Sequence, residues 1–123
     1  MVYVRSTKET NMFNMFKEMK RMLERDIVKR IIKYINEPDD SRGWKGYCWK
    51  NHGNMYSVKG LPDLMAVILK DGKSFFICLE VKQPGKDMTQ IQKVLMKKFT
   101  NLNIVARKVT KLSEVKKIIQ ELE

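Results

Sequence analysis

Apolar residues between Met12 and Ile35 recur at helical spacing: Met12, Met15/Phe16, Met19, Met22/Leu23, Ile27/Val28, Ile31/Ile32 and Ile35. The stripe does not hold one heading. At about 100° per residue its first half centres on Met19 and Leu23, and its second half on Ile31, roughly a quarter-turn away. This predicts two short helices or one bent helix, with the change near Lys20–Glu24. The stripe from Met12 to Leu23 is too apolar for an exposed arm, so residues 1–19 read as an arm or helix that covers the core or meets a second copy. Residues 1–11 are polar and mixed, an arm or a short edge strand. Asn36–Gly43, with Pro38 and Gly43, ends the helical stretch as a loop.

Beyond the loop the period changes from helical to alternating. Tyr47–Lys50 is a short aromatic strand and Asn51–Asn54 is turn material. Asp63–Lys70 and Lys73–Lys82 are strong strands separated by Asp71-Gly72, the favoured pair for a two-residue type I′ hairpin turn. Gln83–Lys86 is a loop, Thr89–Thr100 a helix, Asn103–Lys108 a strand and Ser113–Leu122 a closing helix. The order α-β-β-β-α-β-α implies a mixed central sheet, because a helix between two strands of one sheet makes a parallel crossover. Both faces of the hairpin are apolar: Leu64, Ala66, Ile68 with Phe75, Ile77, Leu79 on one, Met65, Val67, Leu69 with Phe76, Cys78 on the other. A sheet apolar on both sides is covered on both sides, which predicts a three-layer α/β/α domain.

Composition narrows the partners. A chain of 123 residues reads as one domain, able to bury roughly two-thirds of its unfolded surface without disulfide staples. No apolar run approaches the roughly 20 residues of a membrane span. Cys48 and Cys78 form no CxxC pair and read as buried thiols, so the expectation is an intracellular, cytoplasmic protein with no membrane partner and no organic cofactor. Twenty-five Lys plus Arg against fourteen Asp plus Glu give a net charge of +11. That field favours polyanions, and nucleic acid before membrane, since no lone basic amphipathic helix is present.

The hairpin concentrates the chemistry. A two-residue turn at Asp71-Gly72 pairs Lys70 with Lys73, and the same register sets Asp63 opposite Glu80, their Cβ atoms roughly 5 Å apart. Lys82 projects from that face two residues further on. Two carboxylates at that separation repel by roughly 3 kcal/mol at an effective dielectric near 20, so a compensating cation is expected. Hard oxygen ligands suit Mg2+ or Mn2+, and either ion supports phosphodiester hydrolysis. The bland alternative is a solvent-facing salt-bridged strand end, and a bulge in the hairpin would part the carboxylates. Glu24 lies on the heading of the Ile27–Ile35 stripe; it either reaches water at the helix junction or points at the metal face. Thr89-x-x-Gln92 matches a capping box, and Gln92 could also direct its amide towards a phosphate or the Lys82 amine.

Gly60-Leu61-Pro62-Asp63 followed by Glu80-Val81-Lys82 resembles the PD-(D/E)XK nuclease signature. With Glu24 upstream and Gln92 ten residues past the lysine, the ordered set resembles the virus-type replication-repair nuclease family (VRR-Nuc) in its small stand-alone form, over about Leu23 to Val115. Pro38-Asp39 is a decoy, since loop residues follow it. The resemblance implies a restriction-endonuclease-like fold that cuts DNA with Mg2+ or Mn2+. Asp63, Glu80 and the Val81 carbonyl would be metal ligands, Glu24 a further candidate, Lys82 catalytic, and Glu24 and Gln92 supporting. It also implies a homodimer acting on branched DNA, such as a Holliday junction resolvase. A non-catalytic basic nucleic-acid-binding module is the competing class, and flaps or nicked duplex are alternative substrates. For DNA contacts the candidates are Lys50, Lys59, Lys86 and Trp49, with Lys45, Lys97, Lys98, Trp44 and Tyr47 behind them. His52 reads as a solvent-exposed loop residue.

Overall fold

The computed structural model describes residues 7–53 and 58–123, with backbone alone at Met22. The elements are α1 (Thr7–Asn36), a 3-10 turn (Asp40–Arg42), β1 (Trp44–Lys50), β2 (Leu64–Lys70), β3 (Lys73–Val81), α2 (Gln90–Asn101), β4 (Val105–Val109) and α3 (Leu112–Gln120). The protein is a mixed α/β chain with one open four-stranded sheet in the order β1-β2-β3-β4. The first three strands are antiparallel neighbours and β3–β4 is parallel. The hairpin forms as expected: Asp71 and Gly72 both have positive φ (52° and 75°), and Lys70 pairs with Lys73. β1 starts three residues earlier than the aromatic run suggests, because Trp44, Lys45 and Gly46 pair along β2 as far as Lys70.

The larger core cluster sets the C-terminal half of α1 (Ile31, Ile35) and α3 (Val115, Ile119) against Leu64, Ala66, Ile68, Ile77, Leu79 and Val109 of the sheet. Each such aliphatic side chain contributes roughly 1.5–3 kcal/mol when fully buried. Met96 of α2 packs with Cys78 and Ala106, beside Met65, Phe99 and Ile104, in a smaller cluster. Met65 and Cys78 pair across the hairpin, and β-strand alternation puts them on the face opposite Leu64 and Leu79. Among the described residues the second face is therefore covered over β3 and β4 only. Tyr47, Val67, Leu69 and Phe76 remain exposed on it, which corrects the expectation of complete cover.

Two further expectations are corrected on α1. It is one continuous helix of 30 residues, with no break at Lys20–Glu24. Thr7–Asn11 belong to that helix and not to an arm or edge strand, while residues 1–6 lie outside the described residues, as does Asn54 of the Asn51–Asn54 turn. The change of heading marks two different duties on one continuous element. From Ile27 the apolar line faces the sheet, whereas Met12, Met15, Phe16, Met19 and Leu23 are all half exposed and cover none of this chain's core.

Close contacts hold the helix ends. Arg42 donates to the carbonyls of Tyr34 (2.6 Å) and Ile35 (2.9 Å) and lies 3.5 Å over the Trp44 ring, satisfying the last turn of α1. The Asn36 amide donates to Cys48 O (3.0 Å) and its oxygen accepts from Cys48 N (2.6 Å), tying α1 to β1. α1 lies so near the sheet that a Cβ on Gly46 would come within 2.6 Å of Ile68 Cδ1 and 3.0 Å of Ile35 Cγ2. Among the described residues no helix is long and apolar enough to cross a membrane.

Lys70 serves the last helix. Its ammonium donates to the carbonyls of Ile119 (3.1 Å), Gln120 (2.7 Å) and Leu122 (3.0 Å) at the negative end of α3. Lys70→Met keeps the stem and strips these charge-assisted bonds, so chemical denaturation should show a loss of about 1–3 kcal/mol with an unchanged m-value.

Candidate metal centre

Asp63 is placed by the loop before it. Gly60 has φ +84°, and a Cβ there would lie 2.6 Å from Ile91 Cγ2 and 2.9 Å from the Ile91 carbonyl, so only glycine lets the loop rest on the start of α2. Asn51 then clamps the strand entrance: its amide nitrogen donates to Pro62 O (2.8 Å) and its backbone N–H to Asp63 O (2.9 Å). The Asp63 side chain turns towards β3 and accepts from the Val81 N–H at 2.8 Å. The β2–β3 ladder runs unbroken from Lys70↔Lys73 to Leu64↔Leu79, with no bulge. Asp63 and Glu80 are the next residues along that register.

Glu80 is 3% exposed, the one buried charged side chain among the described residues. Its Oε1 accepts from Gln92 Nε2 at 3.2 Å and lies 3.5 Å from Lys82 Nζ. Its Oε2 is buried and has no hydrogen-bond partner among the described residues. Burial raises the Glu80 pKa most, the neighbouring Asp63 charge adds to it, and Lys82 offsets part; the carboxyl ends at about 8. A group of this kind keeps a proton near neutrality unless a cation replaces it. Two neighbouring carboxylates, one of them with an orphaned buried oxygen, fit a hard divalent ion such as Mg2+ or Mn2+. The solvent-facing strand end is corrected, since Lys82 is 17% exposed and Glu80 less.

Gln92 closes the cap as expected, while its amide nitrogen turns to a partner other than the one expected. Its side-chain oxygen accepts from Thr89 N (2.8 Å), and its backbone N–H donates to Thr89 Oγ1 (3.2 Å), closing the capping box of α2. Its amide nitrogen meets Glu80, and not Lys82. Val81 sends its side chain into the larger core while its N–H holds Asp63.

Glu24 is half buried and lines one cleft with Asp63, Lys50 and Val28. It faces the site without joining an ion-sharing set: among the described residues no group of three or more His, Cys, Asp or Glu stands close enough to hold one ion. Glu18, which lacks alignment with the stripe, lines the same cleft, but it is bound by Arg25 at 2.7 Å. A second cleft beside Asp63 is lined by His52 and Lys59, with His52 exposed. Lys86 is exposed, and its carbonyl accepts from Lys108 Nζ at 2.9 Å. Lys108 pairs with Glu80 across the parallel strands, and Gln83 Nε2 donates to Lys20 O at 2.8 Å, linking the loop after Lys82 to α1. Both escape a sequence reading because their partners lie far along the chain. Lys45, Lys97 and Lys98 are exposed and Trp49 is half buried. Trp44 is buried beneath Arg42 and leaves the set of DNA-contact candidates. Cys48 and Cys78 are free and buried, and burial pushes their thiols up to about 12 and about 11.

Comparison with known proteins gives no relative: no family model, no curated protein and no solved structure matches this chain.

The raised Glu80 pKa sets a pH signature for the metal-free protein. Below its ordinary value of 4.5 the carboxyl is protonated in folded and unfolded chains alike, and the stabilisation is complete. Between 4.5 and about 8 the unfolded chain releases the proton and the folded chain keeps it, so stability falls as pH rises. Thermal melts in EDTA should drop from pH 5 to pH 8. Glu80→Gln should flatten that drop and melt above wild type at pH 8.

Proposed function

We propose that this chain is a divalent-metal-dependent DNA endonuclease of restriction-endonuclease-like, three-layer α/β/α fold, selective for branched DNA such as Holliday junctions. The observation that carries it is Glu80, a buried carboxyl with an unpartnered oxygen beside Asp63, Lys82 and Gln92. A basic module that only binds nucleic acid gains nothing from burying such a group at a strand end, where it costs several kcal/mol unless compensated. The net charge of +11 supports a polyanionic substrate, and the ordered residues Glu24, Asp63, Glu80, Lys82 and Gln92 resemble the VRR-Nuc pattern.

In this reading Asp63, Glu80 and the Val81 carbonyl would hold Mg2+ or Mn2+, which would acidify water and screen the phosphate charge. Lys82 directs its ammonium at the attacking water or a phosphate oxygen, where it stabilises charge growing in the transition state. Gln92 fixes the Glu80 carboxylate from the start of α2. Glu24 supports from across the cleft, and Lys50, Lys59 and Lys86 meet neighbouring phosphates. The exposed α1 stripe provides the homodimer seam: Met12, Phe16, Met19 and Leu23 follow the alternating four-three-four spacing of a coiled-coil line. Two sites related by a two-fold suit paired cuts across a four-way junction.

A panel of four-way junctions, flaps, nicked and linear duplexes, incubated with Mg2+ or Mn2+, should show cutting of the branched forms first. Asp63→Ala and Lys82→Ala should each lower the rate roughly 100-fold or more while still shifting DNA in a gel. Unchanged cutting by either variant, or a wild type that binds and cuts nothing in both metals, contradicts the nuclease reading. Met19→Glu combined with Leu23→Glu should sediment as a monomer with an unchanged melting temperature.

A further inference from the structure

α2 leaves the β1–β2 side of its sheet face bare, and what it leaves is aromatic. Tyr47 is 64% exposed, Leu69 47%, and Val67 and Phe76 37% each, with Trp49 half buried among them. The register puts Tyr47, Val67 and Phe76 in one row across the three strands, and Trp49, Met65 and Cys78 in the next. The row after that is Asp63 and Glu80, on the same face. Tyr47 and Trp49 stack with ring centroids 5.9 Å apart and planes at 29°, and Phe76 meets Trp49 edge-on at 6.3 Å. A strip of three rings thus leads, one pleat at a time, to the two carboxylates.

Contiguous exposed apolar surface of this kind marks a binding site. The charge around it selects the occupant. The rows that hold the rings carry no carboxylate: the two acids of this face, Asp63 and Glu80, stand together at one end beside Lys82 and Lys108, and Lys45, in the Leu69 row at the other end, is paired with Asp40 at 3.7 Å. Asp40 and Asp71 border only the Leu69 end, farthest from the site, and would keep a polyanion off that corner. No acid opposes an anionic chain over the rings, and Lys82 and Lys108 attract it towards the Asp63 and Glu80 end. Paired bases hide their faces inside the duplex, whereas unpaired bases present theirs to aromatic side chains.

We propose that Tyr47, Trp49 and Phe76 form a stacking platform for unpaired DNA bases next to the strand held at Asp63 and Glu80. This rests on the nuclease reading and deepens it: the substrate is DNA with unpaired nucleotides beside the branch, and perfectly paired duplex lacks a feature that the protein uses.

Binding is read in EDTA, where no cutting occurs, by titrating oligothymidylate into the full chain and following tryptophan emission. Trp49 is the reporter, because the other tryptophan, Trp44, is buried. Saturable quenching is expected for oligothymidylate, and Trp49→Phe should abolish the signal. Tyr47→Leu and Phe76→Leu keep an apolar side chain and remove a ring; each should weaken single-strand binding roughly tenfold, with the melting temperature and sedimentation unchanged. Unaltered affinity in both leucine variants, emission indifferent to oligothymidylate, or a wild-type dimer that becomes a monomer on Tyr47→Leu would overturn the platform. The last result would make a second copy of the chain the occupant. A failure here leaves metal-dependent cutting through Asp63 and Lys82 standing, and a protein that quenches as expected but never cuts loses the nuclease reading alone.

Discussion

The turn at Asp71–Gly72 decides to which face of the sheet every side chain of the β2–β3 hairpin points. Both residues hold positive φ, the loop contains two residues, and the ladder that starts at Lys70↔Lys73 reaches Leu64↔Leu79 without a bulge. A slip of one residue would send Glu80 to the face of the large aliphatic core and Val81 towards the acidic end. Strand alternation instead delivers Leu79 and Val81 to the core and Glu80 and Lys82 to the face above it. The same register carries Tyr47, Trp49 and Phe76 to that second face. Core, acidic pair and aromatic strip are three readouts of one pairing choice.

Glu80 is where the fold works against its own stability. Its carboxyl is shut away from water, faces another acid and is only half satisfied by Gln92 and Lys82. Supporting contacts come from every direction: the capping box orders Gln92, Asn51 fixes the Asp63 backbone, Gly60 lets its loop lie on α2, and Gln83 ties the following loop to α1. Rigid support around a strained polar centre is what a preorganised cation site needs, because ligands already held in place lose little freedom on binding.

Much of this was legible in the residues alone. Asp-Gly between alternating apolar runs specified the hairpin, and the Thr89–Gln92 spacing specified the cap of α2, because both signals are local. The pairing of Gln92 with Glu80 was not, since it needs the packing of α2 on the sheet. On α1 a change of apolar heading suggests a junction, yet one continuous helix presents separate faces to the sheet and to its surroundings. Both faces of the hairpin were apolar, but α2 spans only β3 and β4, and a composition pattern says nothing about how far a 12-residue helix reaches. Glu24 shares a cleft with Asp63, but its separation from a shared ion set depends on how α1 lies against the start of β2, which no local pattern encodes.

If a divalent cation replaces the proton held on Glu80, as proposed, calorimetry detects the exchange directly. Mn2+ is titrated into the metal-free protein at pH 7 in buffers of different ionisation enthalpy. With the Glu80 pKa at about 8, binding should release close to one proton per ion, and the release should fade as pH climbs above 8. No heat of binding, or binding with no proton release at pH 7, would contradict it.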